Sequence, residues 1–188
     1  MHALAAIAAV VASLVGQPTP VTCASTEQWA ADPAVIADVS LYGFTPAAYT
    51  RLGAGPPEIA LGPFGCQYLS LLFEAPGTQD ARARFFEGEA LLLLVHESQH
   101  AAGWAAEADA ECRAVALYPS VAGTLGLSPA AVQGLAVGAA AYHASMPSYY
   151  RTGCEQPVFF TEASADAGSG SSETGDVCEQ HLQLRRVC

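Results

Sequence analysis

Residues 90–100 of this chain read ALLLLVHESQH. The first six of these residues are apolar without interruption, and a helix that is apolar on every side is a buried one. The last five place His96 and His100 four positions apart, so that in a helix both imidazoles project from one face, one turn apart. We therefore predict a central buried helix that carries two histidines on one face near its C-terminal end.

The two histidines have the spacing of a helical zinc site. Imidazoles one turn apart can bind the same ion, and a glutamate directly after the first histidine, here Glu97, can act as general base toward water at that ion. The pattern predicts Zn2+ as the cofactor, with His96 and His100 as ligands. The alternative is a coincidental match in an ordinary helix end.

Helix-capping signals bound the predicted helix. Thr78 is a candidate N-cap, residues 79–102 contain no proline, and Gly103 stands where a helix end favours positive φ. A second helix is predicted over 104–118, with Pro119 expected to end it. The turn at Gly103 should fold the second helix back against the first.

The second helix offers acidic side chains for the same site. Glu107 and Glu111 are four positions apart and share a face, with Ala110 and Ala114 beside it. Small side chains let two helices approach closely, as a carboxylate requires to reach a metal on the neighbouring helix. A catalytic zinc takes three protein ligands and leaves one position for water. We expect one of these glutamates to be the third ligand; the alternative is a solvated acidic face.

Together, the two segments resemble the gluzincin branch of the zincin metallopeptidases. They read HESQH at residues 96–100 and EADAECRA at residues 107–114, and are similar to the short active cores of M48-type and ImmA/IrrE-type peptidases and of small secreted proteins of high-GC bacteria. The resemblance covers roughly residues 57–118. It implies a zinc peptidase with His96, His100 and Glu107 as metal ligands, Glu97 as general base, and Glu111 as the acid that orients a ligating histidine.

The chain departs from the family pattern in ways that leave alternatives open. Position 111 is Glu where Asp or Asn is usual, so Glu111 could itself bind the metal. Gly103 also fits the metzincin pattern, but residue 106 is alanine where that pattern has its third ligand. If Glu107 and Glu111 both bound the metal, the site would be closed and structural. A disulfide-stabilised secreted binding or structural domain without metal is the remaining alternative.

The expected fold is mainly α, a minimal zincin-like core of active helix plus glutamate helix with at most a short strand or small sheet. Residues 58–62 alternate and predict a strand, the candidate for the edge strand that pairs with extended substrate in zincins. Short helices are predicted over 45–53 and 66–73. A longer helix is predicted from Pro129 to Ser145.

The helix over 129–145 and the residues after it carry candidate oxyanion stabilisers. Gluzincin-type sites often employ a downstream Tyr or His in this role. The candidates are Tyr142 and His143, and the following Tyr149, Tyr150 and Arg151. Nothing in the spacing distinguishes them from packed or surface residues.

Size and charge exclude several classes of function. A chain of 188 residues is predicted to form one catalytic domain, here assigned to residues 24–161. Its net charge is −11, and it has only seven basic residues, all of them arginine. An acidic chain with so few cations is poorly suited to phosphate backbones or anionic lipid surfaces. We expect no nucleic-acid partner, a peptide or protein substrate, and a monomer.

The N-terminal segment and the cysteines bear on where in the cell the protein is located. Residues 1–23 are predicted to be a signal peptide or an N-terminal apolar segment, too short for a stable membrane span; the alternative is a buried helix. Residues 162–188 are predicted to be an acidic flexible segment with a cysteine-containing tail. Together with an export-like N-terminus, six cysteines without a C-x-x-C pair predict disulfides and a secreted or extracytoplasmic protein. We expect Cys66–Cys112 and Cys178–Cys188 pairs; a reduced cytoplasmic protein is the alternative.

Overall fold

The computed structural model describes residues 2–42, 45–74 and 80–154, and these form a mainly helical fold with one small sheet. The helices are α1 (His2–Val15), α2 (Thr26–Ala30), α3 (Pro33–Tyr42), α4 (Pro63–Glu74), α5 (Ala81–Ala101), α6 (Glu107–Gly123), α7 (Pro129–Ser145) and α8 (Ser148–Arg151). The strands are β1 (Val21–Cys23), β2 (Ala48–Arg51) and β3 (Glu58–Leu61). The predicted fold class, mainly α with a small sheet, is confirmed.

Helix α5 lies at the centre of the fold, with α1, α4, α6, α7 and the sheet packed around it. Its apolar run from Ala90 to Val95 is at most 4% exposed, as the sequence predicted for a buried helix. The N-cap is Asp80, whose carboxylate accepts a hydrogen bond from the Ala83 amide, so the prediction of Thr78 was wrong. Gly103 follows the helix with φ of 100°, as predicted.

Helices α5 and α7 approach so closely that glycine is required at their contact. A Cβ on Gly88 would lie 1.9 Å from the Leu135 carbonyl oxygen, and one on Gly138 would lie 1.8 Å from that of Phe85. Backbone therefore packs on backbone, with no room for a side chain. This contact fixes α7, which begins and ends where the sequence predicted, against the central helix.

Helix α6 continues past the residue that was expected to end it. Pro119 lies inside the helix, which runs on to Gly123. Proline removes one backbone donor, but Tyr118, Val121 and Ala122 are buried in the core and hold the last turn in place. Tertiary packing thus outweighs the local stop signal.

The sheet has the order β1-β3-β2, with β1 parallel and β2 antiparallel to β3. The predicted strand at 58–62 is β3, but it is the central strand and not the edge. The edge strand beside α5 is β2, in the segment 45–53 that was wrongly predicted to be a helix. Tyr49 and Thr50 favour a strand once a partner strand is present, and that pairing overrides the local capping signals.

The N-terminal segment packs into the same core as the rest of the chain. Ala3, Ile7 and Val11 recur every four residues on α1 and are at most 4% exposed, against α4 and α5. This packing agrees with the alternative of a buried N-terminal helix, while removal of the segment as a signal peptide stays a prediction. Within the part of the chain that the structure describes, no helix has the length and apolarity to cross a membrane.

Two disulfides link neighbouring elements, Cys23 with Cys66 and Cys112 with Cys154. The predicted Cys66–Cys112 pair was therefore wrong. Cys66, near the start of α4, meets the end of β1, whereas Cys112 on α6 meets Cys154, three residues after the end of α8. The predicted Cys178–Cys188 pair lies outside the described residues. The observed disulfides are compatible with an extracytoplasmic location.

Substitution at the α5–α7 contact tests this packing. Gly138→Ala should lower the free energy of unfolding by about 1–3 kcal/mol, because its Cβ would overlap the backbone of α5. The measurement is urea denaturation followed by circular dichroism. Gly123→Ala is the matched control, since a Cβ there meets nothing within 4 Å. Equal stability of the two variants would contradict the close contact.

Candidate metal centre

Three side chains converge where the end of α5 meets the start of α6. His96 Nε2 and His100 Nε2 are 3.1 Å apart, and each lies 3.2 Å from Glu107 Oε2. His96 is buried, while His100 and Glu107 are half-buried, so the triangle of atoms is open on one side. The structure thus brings together the three residues that the sequence proposed as ligands, in an arrangement that could hold a metal ion.

The size of this triangle fits a tetrahedral metal site. Zinc ligands about 2.0–2.1 Å from the ion at tetrahedral angles are about 3.3–3.4 Å from one another. The observed separations of 3.1–3.2 Å are within a few tenths of an ångström of that geometry. Two imidazoles and one carboxylate are also a donor set that zinc takes in catalytic sites.

The turn after α5 orients His100. Its Nδ1 lies 2.7 Å from the Trp104 carbonyl oxygen, which can only accept a hydrogen bond, so Nδ1 carries the proton. Nε2 is then free to face the triangle with its lone pair. The Trp104 ring is itself held by the Arg113 guanidinium, 3.9 Å from the ring centroid.

Glu111 orients His96 from the other side. Its Oε2 lies 2.8 Å from His96 Nδ1, and its Oε1 lies 2.6 Å from His143 Nδ1. Both oxygens of this fully buried carboxylate are therefore engaged by Nδ1 atoms, which are not among the three atoms of the triangle. Glu107 rather than Glu111 lies at the candidate metal position, and Glu111 has the place of the acid behind a ligand.

Glu97 lies beside the triangle and is held by the sheet. The Thr50 hydroxyl, on β2, is 2.8 Å from Glu97 Oε2 and 2.8 Å from the Glu97 carbonyl oxygen. Burial raises the pKa of the Glu97 carboxyl, against the lowering effect of His96 and His100. A raised pKa suits a group that takes and returns a proton near neutral pH. Thr50 was missed because its segment was predicted to be helical.

Among the candidate oxyanion stabilisers, Tyr150 is the one that the structure brings to the metal ligands. Its ring centroid is 6.0 Å from that of His96, and the Cys112–Cys154 disulfide ties the end of its helix to α6. Burial raises the pKa of Tyr150, which keeps its phenol protonated as a donor. His143 is separated from the triangle by Glu111 and His96, so the geometry does not favour an oxyanion role for it. Tyr142, the other candidate on α7, is 6% exposed and belongs to the hydrophobic core.

The carboxylates hold a proton on His96. Burial alone would lower its pKa, but hydrogen bonds to Glu107 and Glu111 outweigh burial and raise it to about 10. Burial would likewise raise the pKa of Glu107, but the two imidazoles bring it down to about 2. The raised pKa favours the protonated form of His96, in which each ring nitrogen can donate to a carboxylate.

Comparison with known proteins does not extend these observations. No family model matches the chain, and no curated protein or solved structure matches it. The residues and geometry of this site are therefore the basis for a functional assignment.

Zinc binding should release protons. At pH 7 to 8, below the pKa of about 10, Nε2 of His96 must lose its proton before it can bind an ion. We expect at least one proton to be released per zinc, since the pKa of His100 is raised as well, and an affinity that rises with pH until both imidazoles are deprotonated. Calorimetry in buffers of different ionisation enthalpy measures the proton count. Zinc uptake without proton release at neutral pH would contradict the protonated state of His96.

Proposed function

We propose that this chain is a zinc-dependent metallohydrolase, a peptidase that hydrolyses peptide bonds. The observation that carries the proposal is the triangle of His96, His100 and Glu107 with the buried Glu97 beside it. Ligands that occupy three positions of a tetrahedral site leave the fourth for water, the arrangement of catalytic zinc. The gluzincin-like spacing of the same residues adds support.

Glu97 is the proton-transfer group of the proposed reaction. Bound zinc would supply a Lewis acid that polarises the scissile carbonyl and makes water more acidic. Glu97 takes the proton from the attacking water and passes it to the leaving amine. Thr50 keeps its carboxylate in place, and burial keeps its proton affinity high.

The proposed substrate is a peptide or protein segment in an extended conformation. Among the residues that the structure describes, β2 pairs with β3 on one side and with no strand on the other, and an edge of this kind can take up an extended peptide by strand addition. The Thr50 contact brings that edge next to Glu97. The net charge of −11 without lysine argues against nucleic acid as substrate.

Tyr150 is the proposed oxyanion stabiliser. Its half-buried phenol stays protonated and lies beside His96, where a hydroxyl donor could meet charge that develops on the scissile carbonyl oxygen. The disulfide to Cys112 holds its helix on α6, the helix that carries Glu107.

We further propose that the protein is a monomer and that it is secreted or extracytoplasmic.

A structural zinc site is the competing function, and the geometry argues against it. A closed site would need a fourth protein ligand, and the sequence offered Glu111. Both Glu111 oxygens are instead paired with His96 Nδ1 and His143 Nδ1. Glu111 would have to give up at least one buried hydrogen bond to reach the metal, which is costly.

Glu97→Gln tests the proposed function. It should lower zinc-dependent peptidase activity by about 10²–10⁴-fold while the protein still binds one zinc, because the amide cannot take a proton from water. Cleavage of an unfolded protein such as casein, and of a peptide mixture read by mass spectrometry, supplies the assay. Glu27→Gln, at an exposed position of α2, is the matched control. Full activity of Glu97→Gln, or no zinc-dependent cleavage by the parent, would refute the proposal.

Tyr150→Phe tests the oxyanion assignment. Loss of one donor to a developing oxyanion typically costs about 10²–10³-fold in kcat, and we expect a fall of this order with KM little changed. Steady-state kinetics on a peptide cleaved by the parent gives both constants. Tyr68→Phe, in the aromatic cluster with Phe64 and Phe86, is the control. An unchanged kcat in Tyr150→Phe would remove Tyr150 from the mechanism.

A further inference from the structure

A line of three buried side chains runs from the candidate metal centre into the core. His96 Nδ1 lies 2.8 Å from Glu111 Oε2, and Glu111 Oε1 lies 2.6 Å from His143 Nδ1. The three residues are 3%, 0% and 2% exposed and come from α5, α6 and α7 in turn. Helix α7 contributes none of the three candidate ligands, yet it reaches the site through this line.

The chemistry of the three groups fixes the direction of the hydrogen bonds. A carboxylate only accepts, so Nδ1 of each imidazole donates to Glu111. When Nε2 of His96 faces the metal, its remaining proton is on Nδ1, which is the proton that Glu111 receives. His143 supplies the second donor, to the opposite oxygen of the same carboxylate.

The second donor restricts how Glu111 can turn. The terminal torsion of a glutamate is broad and roughly two-fold, so one hydrogen bond leaves the carboxylate plane loosely defined. A buried carboxylate oxygen without a hydrogen-bond partner also has nothing to compensate for the solvation that it loses on burial. With His143 on Oε1, Oε2 is held toward His96 Nδ1, and the ring of His96 is held toward the triangle.

The close helix contact makes this arrangement possible. Gly138, five residues before His143 on α7, lets the helix lie directly on the backbone of α5. The imidazole of His143 can then reach a carboxylate that is already bound to a residue of α5.

We propose that His143 is a positioning residue of the metal site, which acts through Glu111 to orient His96 and so raises the affinity of the protein for a zinc ion. It touches neither substrate nor metal. The inference rests on the proposed zinc site and assigns part of its affinity to a third helix. A histidine that serves only to fill the core would make no such contribution.

The test is the zinc affinity of His143 variants in the full chain, measured by competition with a chromophoric chelator at fixed pH. His143→Leu removes the donor and should weaken zinc binding about tenfold, within the range for partners of ligating residues. In His143→Asn, the side-chain amide stands where Nδ1 stood, and it should restore most of the affinity. His143→Gln places its amide beyond that point and should bind as weakly as His143→Leu, which gives a second, polar disrupting variant.

A double-mutant cycle separates positioning from general loss of structure. In a Glu111→Ala background, His143→Leu should have no further effect on zinc affinity, because its action passes through Glu111. Leu135→Val, in the buried core of α7, is the matched packing control and should keep the parent affinity. Thermal unfolding of each variant identifies the temperature below which all are folded.

The outcomes distinguish this inference from the function on which it rests. The inference is supported if His143→Leu and His143→Gln bind zinc weakly, His143→Asn restores the affinity, and His143→Leu causes no further loss in the Glu111→Ala background. Parent-like affinity in folded His143→Leu or His143→Gln overturns it and leaves the zinc site standing, and so does a folded His143→Asn that binds as weakly as His143→Leu. A parent protein that binds no zinc overturns the proposed function and this inference together.

Discussion

The burial of α5 is the constraint on which the rest of the site depends. A helix with no solvent-exposed face has to find a partner for every polar side chain that it carries, because an unpaired buried polar group costs about 1–3 kcal/mol. Toward its C-terminus, α5 carries His96, Glu97 and His100 within five residues. Their partners come from elsewhere in the fold: Glu107 and Glu111 on α6, Thr50 on β2, and the Trp104 carbonyl. The site is the place where these partners meet.

The same constraint orders the polar groups around the site. Glu111 is tolerated at 0% exposure because two imidazoles donate to it, and His143 is tolerated because it is one of them. At the other end of α5, Arg84 Nη1 and Glu87 Oε2 form a buried ion pair 2.7 Å apart that lacks hydrogen-bond geometry. The charges of that pair compensate each other, whereas the polar groups at the site are joined by hydrogen bonds. Among the residues that the structure describes, the triangle is where several possible metal ligands converge, which is why metal chemistry is proposed there.

The sequence predicted the parts of the site that depend on local periodicity. The face shared by His96 and His100 follows from helix geometry, and the return of Glu107 follows from the turn at Gly103, whose φ is 100°. The apolar run from Ala90 to Val95 predicted that α5 is the buried central helix. These features need only one or two neighbouring helices.

The remaining parts depend on contacts between distant segments, and single-sequence reasoning could not place them. Thr50 reaches Glu97 because β2 pairs with β3, an arrangement that local helix signals obscured. Sequence spacing does not distinguish Tyr150 and His143 from their neighbours. Tyr150 is brought to the site by the disulfide after α8, and His143 by the glycine contact that holds α7 on α5. The Cys66–Cys112 pairing failed for the same reason, because sequence spacing does not report which cysteines are close in space.

Metal content is the most direct test of whether His96, His100 and Glu107 bind zinc. Elemental analysis of protein purified without added zinc should find about one zinc per chain. The His96→Ala variant, which removes one corner of the triangle, should contain little. A folded parent protein with both described disulfides intact but without zinc would contradict the account, and the arrangement of His96, His100 and Glu107 would then be a buried polar network without a metal.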